Sequence, residues 1–359
     1  MSASPDVRID PNVETVTCLL NLSERGSRDW NSGIPRQPFR RAVMEQFSDM
    51  KAHPAVLLVD QLHEQRFWWD AMIELALHCT PFPSGTLKAQ LPAPRYVTAG
   101  SGDREKGEKQ IDTLVALIND FHQQSAFEAF WQEHQVDYDQ VRHEVLSSMP
   151  GMDLLKTVEH YYGASGYPGI KGYYLVPSPQ IIGWNGFGIR VPTEKGLEIY
   201  NIFGPFRSIE ENESGFGFDN SEAIANLSVH EFGHSFVNPL VEPPRYHQTI
   251  ERFHQLYAPI RATGKMGYSG WVCVAEHIIR ACEVRIAVAL GKAMEAAEIQ
   301  REYVENHSFV YLPPIADALV EYEEHRGKYP SLAAFVPELM ETFESLAARA
   351  CVDGNAHFR

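Results

Sequence analysis

Apolar residues recur along this chain at two spacings, and the change from one to the other sets out its elements. From Phe39 to Ala52 and from Val56 to His78 the spacing is helical, with Pro54 between the two runs. Glu105 to Gln123, Ala126 to His134 and Tyr138 to Tyr162 continue it. Ahead of these, Val13 to Leu22 is apolar and β-branched and predicts a strand. The stretch from Pro81 to Arg104, punctuated by Pro83, Gly85, Pro92, Pro94, Gly100 and Gly102, predicts a loop. Between Gly163 and Phe218 the spacing shortens to that of strands: Tyr173 to Val176, Gly188 to Val191 and Leu197 to Tyr200, bounded by Gly and Pro, predict a small antiparallel sheet. Helical spacing returns after Asp219, again from Gly270 to Ile286, from Arg301 to His325 with a break at Pro313-Pro314, and from Leu332 to Ala348. The expected class is α+β, mostly helical. Residues 1–162 form a mainly helical first part and residues 163–359 carry the sheet and the later helices, as two parts of one domain or as two.

One helix in this plan carries chemistry. Asp219 is placed to cap it, Glu222 three residues on to complete a capping box, and Asn238-Pro239 to stop it. Inside lies His230-Glu231-Phe232-Gly233-His234. Residues four apart share a helix face, about 6 Å from one another, so both imidazoles can address one ion. Zinc hydrolases keep three protein donors and a water, and a glutamate beside the first histidine takes the water's proton. The plainer reading is a core helix with two hydrogen-bonded histidines. Against it, Glu231 is flanked by Val229 and Phe232, where a carboxylate is costly without a cation.

The third donor has to come from elsewhere, because no further histidine follows at metzincin spacing. The apolar helix from Gly270 to Ile286 offers Glu276 and Glu283, two turns apart and on nearly one face, so spacing leaves both open. With Arg280 between them, the economical arrangement makes Glu276 the ligand and pairs Glu283 with Arg280 as a supporting group. The alternative is a pair of ordinary helix salt bridges through Arg280. His277 faces about 100° away from Glu276 and is expected to pack or point outward.

The run from Leu227 to Pro239, followed by Tyr268, Trp271, Glu276, Arg280 and Ala281, resembles a bacterial family of gluzincin-like metallopeptidases, identified as the domain of unknown function four-nine-three-two. The likeness extends to Val56–Ala71, Phe127 to Trp131, Tyr138, Phe309-Val310-Tyr311, Tyr322-Glu323 and the run from Tyr329 to Pro337. It covers most of the chain, and only the metal-site run is specific. The resemblance implies a zincin-like catalytic core, with His230, His234 and Glu276 on Zn²⁺ and Glu231 as base. Arg280 departs from the better-known gluzincin pattern, which has an acidic residue at that position. A donor for the oxyanion is also needed, and Tyr268 and Tyr311 are the candidates, with Tyr246, His247 and His307 behind them.

The bulk properties narrow the partners. With 359 residues, 44% hydrophobic and 22% charged, the chain is long enough for a large core. A formal charge of −16 argues against nucleic acid and anionic membrane surfaces and speaks first to solubility. The expected partner is a peptide or protein substrate, and the oligomeric state stays open. Five cysteines show no C-x-x-C pairing and, being odd in number, cannot all be disulfide-bonded within one chain; Cys273 and Cys282, on the candidate glutamate helix, read as packing residues. Residues 1–14 lack the features of a signal peptide and no run reaches the ~20 apolar residues of a membrane span, so a soluble protein is expected, cytoplasmic or as an exported mature form. Gly186-Phe187-Gly188 and Gly215-Phe216-Gly217 make no nucleotide fingerprint and read as turns, and the aromatic run Phe67-Trp68-Trp69 as core. Two rival functions remain: a zincin-fold binding protein without turnover, and a zinc hydrolase of a non-peptide bond.

Overall fold

Asp10 decides the first element. Its side chain accepts from the backbone N–H groups of Asn12 (3.0 Å) and Val13 (3.2 Å), and Pro11 presets the backbone of the first turn. The result is a helix, α1 (Pro11–Leu22), where the β-branched composition predicts a strand. Every residue from Asn12 to Leu22 is buried, so no polar stripe betrays the helical period.

The computed structural model describes residues 5–24, 26, 28, 37–149, 151–163, 169–209, 213–261, 268 and 270–354. They fall into two compact units, one of the described residues within 5–150 and 171–224, the other of those within 151–170 and 225–359. Both units are discontinuous in sequence, whereas a division at residue 162 is continuous.

In the first unit α2 (Pro38–Gln46) runs into a 3₁₀ turn (Ser48–Ala52). The next predicted helix is two, α3 (Pro54–Glu64) and α4 (Trp69–His78), with Arg66 at a φ of 67° in the corner between them. A short helix, α5 (Ala93–Ala99), occupies part of the expected loop, ahead of α6 (Arg104–Gln124), α7 (Phe127–Glu133) and α8 (Gln135–Ser147). Phe47, Phe121, Phe127 and Phe130 meet in one aromatic cluster of this core. Buried Asn12 donates to the carbonyls of Ala76, Cys79 and Thr80 and accepts from Phe82 N–H, tying α1 to the end of α4.

The sheet of this unit is mixed, which corrects the antiparallel expectation. Strands β2 (Ile170–Pro177), β3 (Gly186–Thr193) and β4 (Gly196–Phe203) enclose the three predicted runs, and β3 and β4 form an antiparallel hairpin from Gly186 opposite Phe203 to Thr193 opposite Gly196. A fourth strand, β1 (Asp6–Val7), lies parallel to β2, giving the order β1-β2-β4-β3. Two residues carry no alternation to read, so the sequence pattern does not reveal it.

In the second unit α9 (Met152–Tyr162) ends at Gly163, whose φ of 69° suits a left-handed helix stop. The motif helix, α10, runs Ser221–Val241. Asn220, not Asp219, caps it, accepting from Ala223 N–H at 3.0 Å, while Asp219 pairs with Arg207 at 3.1 Å. Pro239 sits inside its last turn instead of stopping it. Then come α11 (His247–Arg261), α12 (Gly270–Ala289), α13 (Ala293–Glu305), α14 (Leu312–Glu324) and α15 (Leu332–Gly354). Pro313-Pro314 opens α14 where the pattern predicted a break inside one longer helix. Helix α12 is buried from Cys273 to Ala287 apart from Arg280 and Arg285, and packs against α9, α11, α13 and α14. It is buried nearly all round, as a central helix must be, so its charged side chains need partners from the helices around it. Among the described residues no helix is long and apolar enough to cross a membrane, and Cys18, Cys79, Cys273 and Cys282 are buried and form no disulfide.

Candidate metal centre

Helix α10 sets His230 and His234 on one face with their Nε2 atoms 3.2 Å apart and their rings nearly perpendicular, at 87°. Helix α12 brings Glu276, 4% exposed, to both: Oε2 lies 3.8 Å from His230 Nε2 and Oε1 lies 3.7 Å from His234 Nε2. Bonds of about 2.1 Å put the donors of a tetrahedral zinc about 3.4 Å apart, a spacing that the two Nε2 atoms approach, while the carboxylate turns one oxygen to each imidazole from slightly further out. Glu231, also 4% exposed, stands beside them, and the donor atoms of His230, Glu231 and His234 all lie within 4.8 Å of one another.

The other side of each imidazole explains the arrangement. His230 Nδ1 is 2.6 Å from Glu283 Oε1, and His234 Nδ1 is 3.2 Å from Asn238 Oδ1. Both partners are acceptors, so each ring places an N–H on Nδ1. In the neutral rings two Nε2 lone pairs then face each other, with a carboxylate alongside. That arrangement is repulsive unless a cation lies between them, either a proton shared by the rings or a metal ion. Burial works against a charged His230, but Glu283 outweighs it and raises the pKa. Burial would likewise raise the Glu276 carboxyl, yet Arg280, His234 and His230 bring it down to about 2, so it stays ionised and available as a donor.

The supporting shell differs from the expected one. Arg280 donates to Glu276, not to Glu283. Glu283 instead holds His230 and accepts from the Tyr303 hydroxyl. The two-turn spacing accounts for both glutamates: on one face of α12, Glu276 reaches the Nε2 side of the histidines and Glu283 the Nδ1 side of His230. Tyr303 on α13 and Asn238 on α10 are functional candidates that motif reading passed over. Tyr303 gave no signal, whereas Asn238, four residues after His234, shares its helix face and could have been found by spacing.

Of the predicted oxyanion donors, Tyr268 is near the carboxylates. Glu276 is the largest influence on its hydroxyl, followed by burial, which together push its pKa to about 12. Tyr311 belongs to an aromatic cluster with Phe253 and Tyr257, at 5.7 and 5.8 Å, and burial alone raises its pKa. Tyr246 stacks under Arg245, His247 begins α11, and His307 pairs with Glu302 at 3.5 Å. His277 packs inward between Phe253, Tyr257 and Phe309, its Nδ1 2.8 Å from the Cys273 carbonyl oxygen, and burial lowers its pKa to about 4. Gly233 serves packing: a Cβ there would meet the Tyr162 hydroxyl at 2.9 Å and Ile279 Cγ2 at 3.1 Å, so its absence lets α9 and α12 close on α10.

One family model, described as Domain of unknown function (DUF4932), matches residues 6–342. No curated protein and no solved structure matches the chain.

Proposed function

We propose, from the premise that this chain belongs to the family described as Domain of unknown function (DUF4932), that it is a zinc-dependent hydrolase of peptide bonds with a zincin-like core. The observation that carries the reading is the pair of Nε2 atoms 3.2 Å apart, each ring anchored through Nδ1, with the Glu276 carboxylate within 3.8 Å of both. His230, His234 and Glu276 would hold the ion. When bound, zinc acidifies water and polarises a carbonyl.

The chain's own residues supply the remaining steps. Glu231 takes a proton from the attacking water and delivers it to the leaving amine. Tyr268, whose pKa of about 12 keeps it protonated near neutrality, donates to the developing oxyanion. Glu283 and Asn238 fix the two imidazoles in the tautomer that presents Nε2. Glu231 is redundant in a protein that only binds its partner, and its place beside the histidines supports turnover.

The test is elemental analysis of the purified protein together with hydrolysis of a mixed peptide library, for the parent and for Glu231→Gln. The expected result is about one equivalent of zinc in both and a fall of at least about 10³-fold in hydrolysis in the variant. A parent that retains no zinc after dialysis sinks the proposal. A parent that holds zinc and cleaves no peptide replaces it with a binding protein or a hydrolase of another bond.

A further inference from the structure

Arg280 has no part in the chemistry above, yet it is the group bound to the third donor. Its guanidinium donates through Nη1 to Glu276 Oε2 from one turn further along the same helix, with only 12% of its side chain exposed. It lies over the Phe309 ring at 4.4 Å and the Tyr303 ring at 5.0 Å, with Tyr268 at 5.9 Å. The rings fix its plane and the helix fixes its reach. Three aromatic neighbours also make this an arginine site, because a lysine ammonium offers neither a flat face to stack nor a fork of donors.

A carboxylate can meet an ion through one oxygen or through both. In this chain the two oxygens stand almost equally far from the imidazoles, Oε2 at 3.8 Å from His230 Nε2 and Oε1 at 3.7 Å from His234 Nε2, and what distinguishes them is that Arg280 holds Oε2. Two histidines and a single oxygen make three donors and leave a fourth corner for water and substrate. Two oxygens would fill that corner. Resting on the zinc reading above, we propose that Arg280 is a positioning residue that restricts Glu276 to single-oxygen coordination and so keeps one corner of the metal site open.

The proposal separates affinity from turnover. Arg280→Met keeps an apolar stem against the rings and releases Oε2, and removes a positive charge from beside the ion. Zinc affinity, read by competition with a chelating dye, is expected to rise, because a second oxygen joins the ion and a positive charge leaves its neighbourhood, while peptide hydrolysis falls. Cobalt-substituted protein should change from the intense visible absorption of a four-coordinate ion to the weak absorption of a five-coordinate one, and Arg280→Lys should restore part of the parent spectrum. A merely structural role would lower affinity and turnover together. An Arg280→Met protein with the parent's cobalt spectrum and unchanged or weaker affinity overturns the proposal. If that variant does not fold, zinc-edge X-ray absorption of the parent decides: one carboxylate oxygen on the metal supports the proposal, and two overturn it. Failure of the zinc reading looks different, because the parent itself would then take up neither zinc nor cobalt.

Discussion

Glu14 shows how far a single carboxyl can be moved by its surroundings. It sits on α1, 1% exposed, receiving a hydrogen bond from Gln180 Nε2 at 2.6 Å, and burial pushes its pKa up to about 7 against the hydrogen bonds of Ser178, Gln180 and Tyr138. The folded state therefore holds this proton more tightly than the unfolded chain does. The stabilisation that results is complete below pH about 4.5 and disappears as the pH rises through about 7, a difference on the order of 3 kcal/mol for this group. Denaturant titrations at pH 5 and pH 8 should show the parent losing more stability between the two than Glu14→Gln, which has no proton to release. Equal losses would mean that water reaches the carboxylate. The candidate metal residues are a different case at this scale. His230, Glu231 and His234 were legible because their chemistry is tied to a fixed helical spacing, whereas the partner of Arg280 was not: Glu276 and Glu283 flank it almost symmetrically, and only the packing of α12 against its neighbours decides which one it meets.

At the level of elements, Gly233 is where three helices depend on one missing side chain. Alanine is the better helix former by about 1 kcal/mol. Against this, the added methyl would press on the Tyr162 hydroxyl and on Ile279, and overpacking of that kind costs about 1–3 kcal/mol. Gly233→Ala should therefore destabilise by about 1 kcal/mol in denaturant unfolding, and Tyr162→Phe made in the same chain should recover part of the loss by removing the nearer contact. A stabilised Gly233→Ala would show that α9 is free to yield. The helices legible in the sequence were those with one wet face, such as α6, and those fixed by end signals. Helix α1 has the pattern of a strand because burial on every side removes the helical period, and β1 leaves no pattern because two residues have none. The strands β2 to β4 are legible from alternation and glycine boundaries, but their mixed sheet is not, since the parallel partner of β2 lies far back in the sequence.

For the whole molecule, the linear order of the chain is a poor guide to its units. A fragment of residues 163–359 contains all the proposed metal donors and lacks α9, whose Tyr162 stacks on Phe236 at 4.8 Å and lies against Gly233. That fragment should give a weak near-UV circular dichroism signal and bind zinc at least about 10-fold more weakly than the full chain. Tight binding by the fragment would show that α10 and α12 form the site alone. The same discontinuity bears on synthesis. Helix α9 leaves the ribosome ahead of every helix it packs with in its own unit, since the first of those, α10, begins at Ser221, and ahead of the strands β3 and β4 of the other unit. At about 5–20 residues per second, the apolar face of α9 is bare for several seconds before α10 and α12 exist to cover it. In that interval a nascent-chain chaperone has a clear reason to bind this segment.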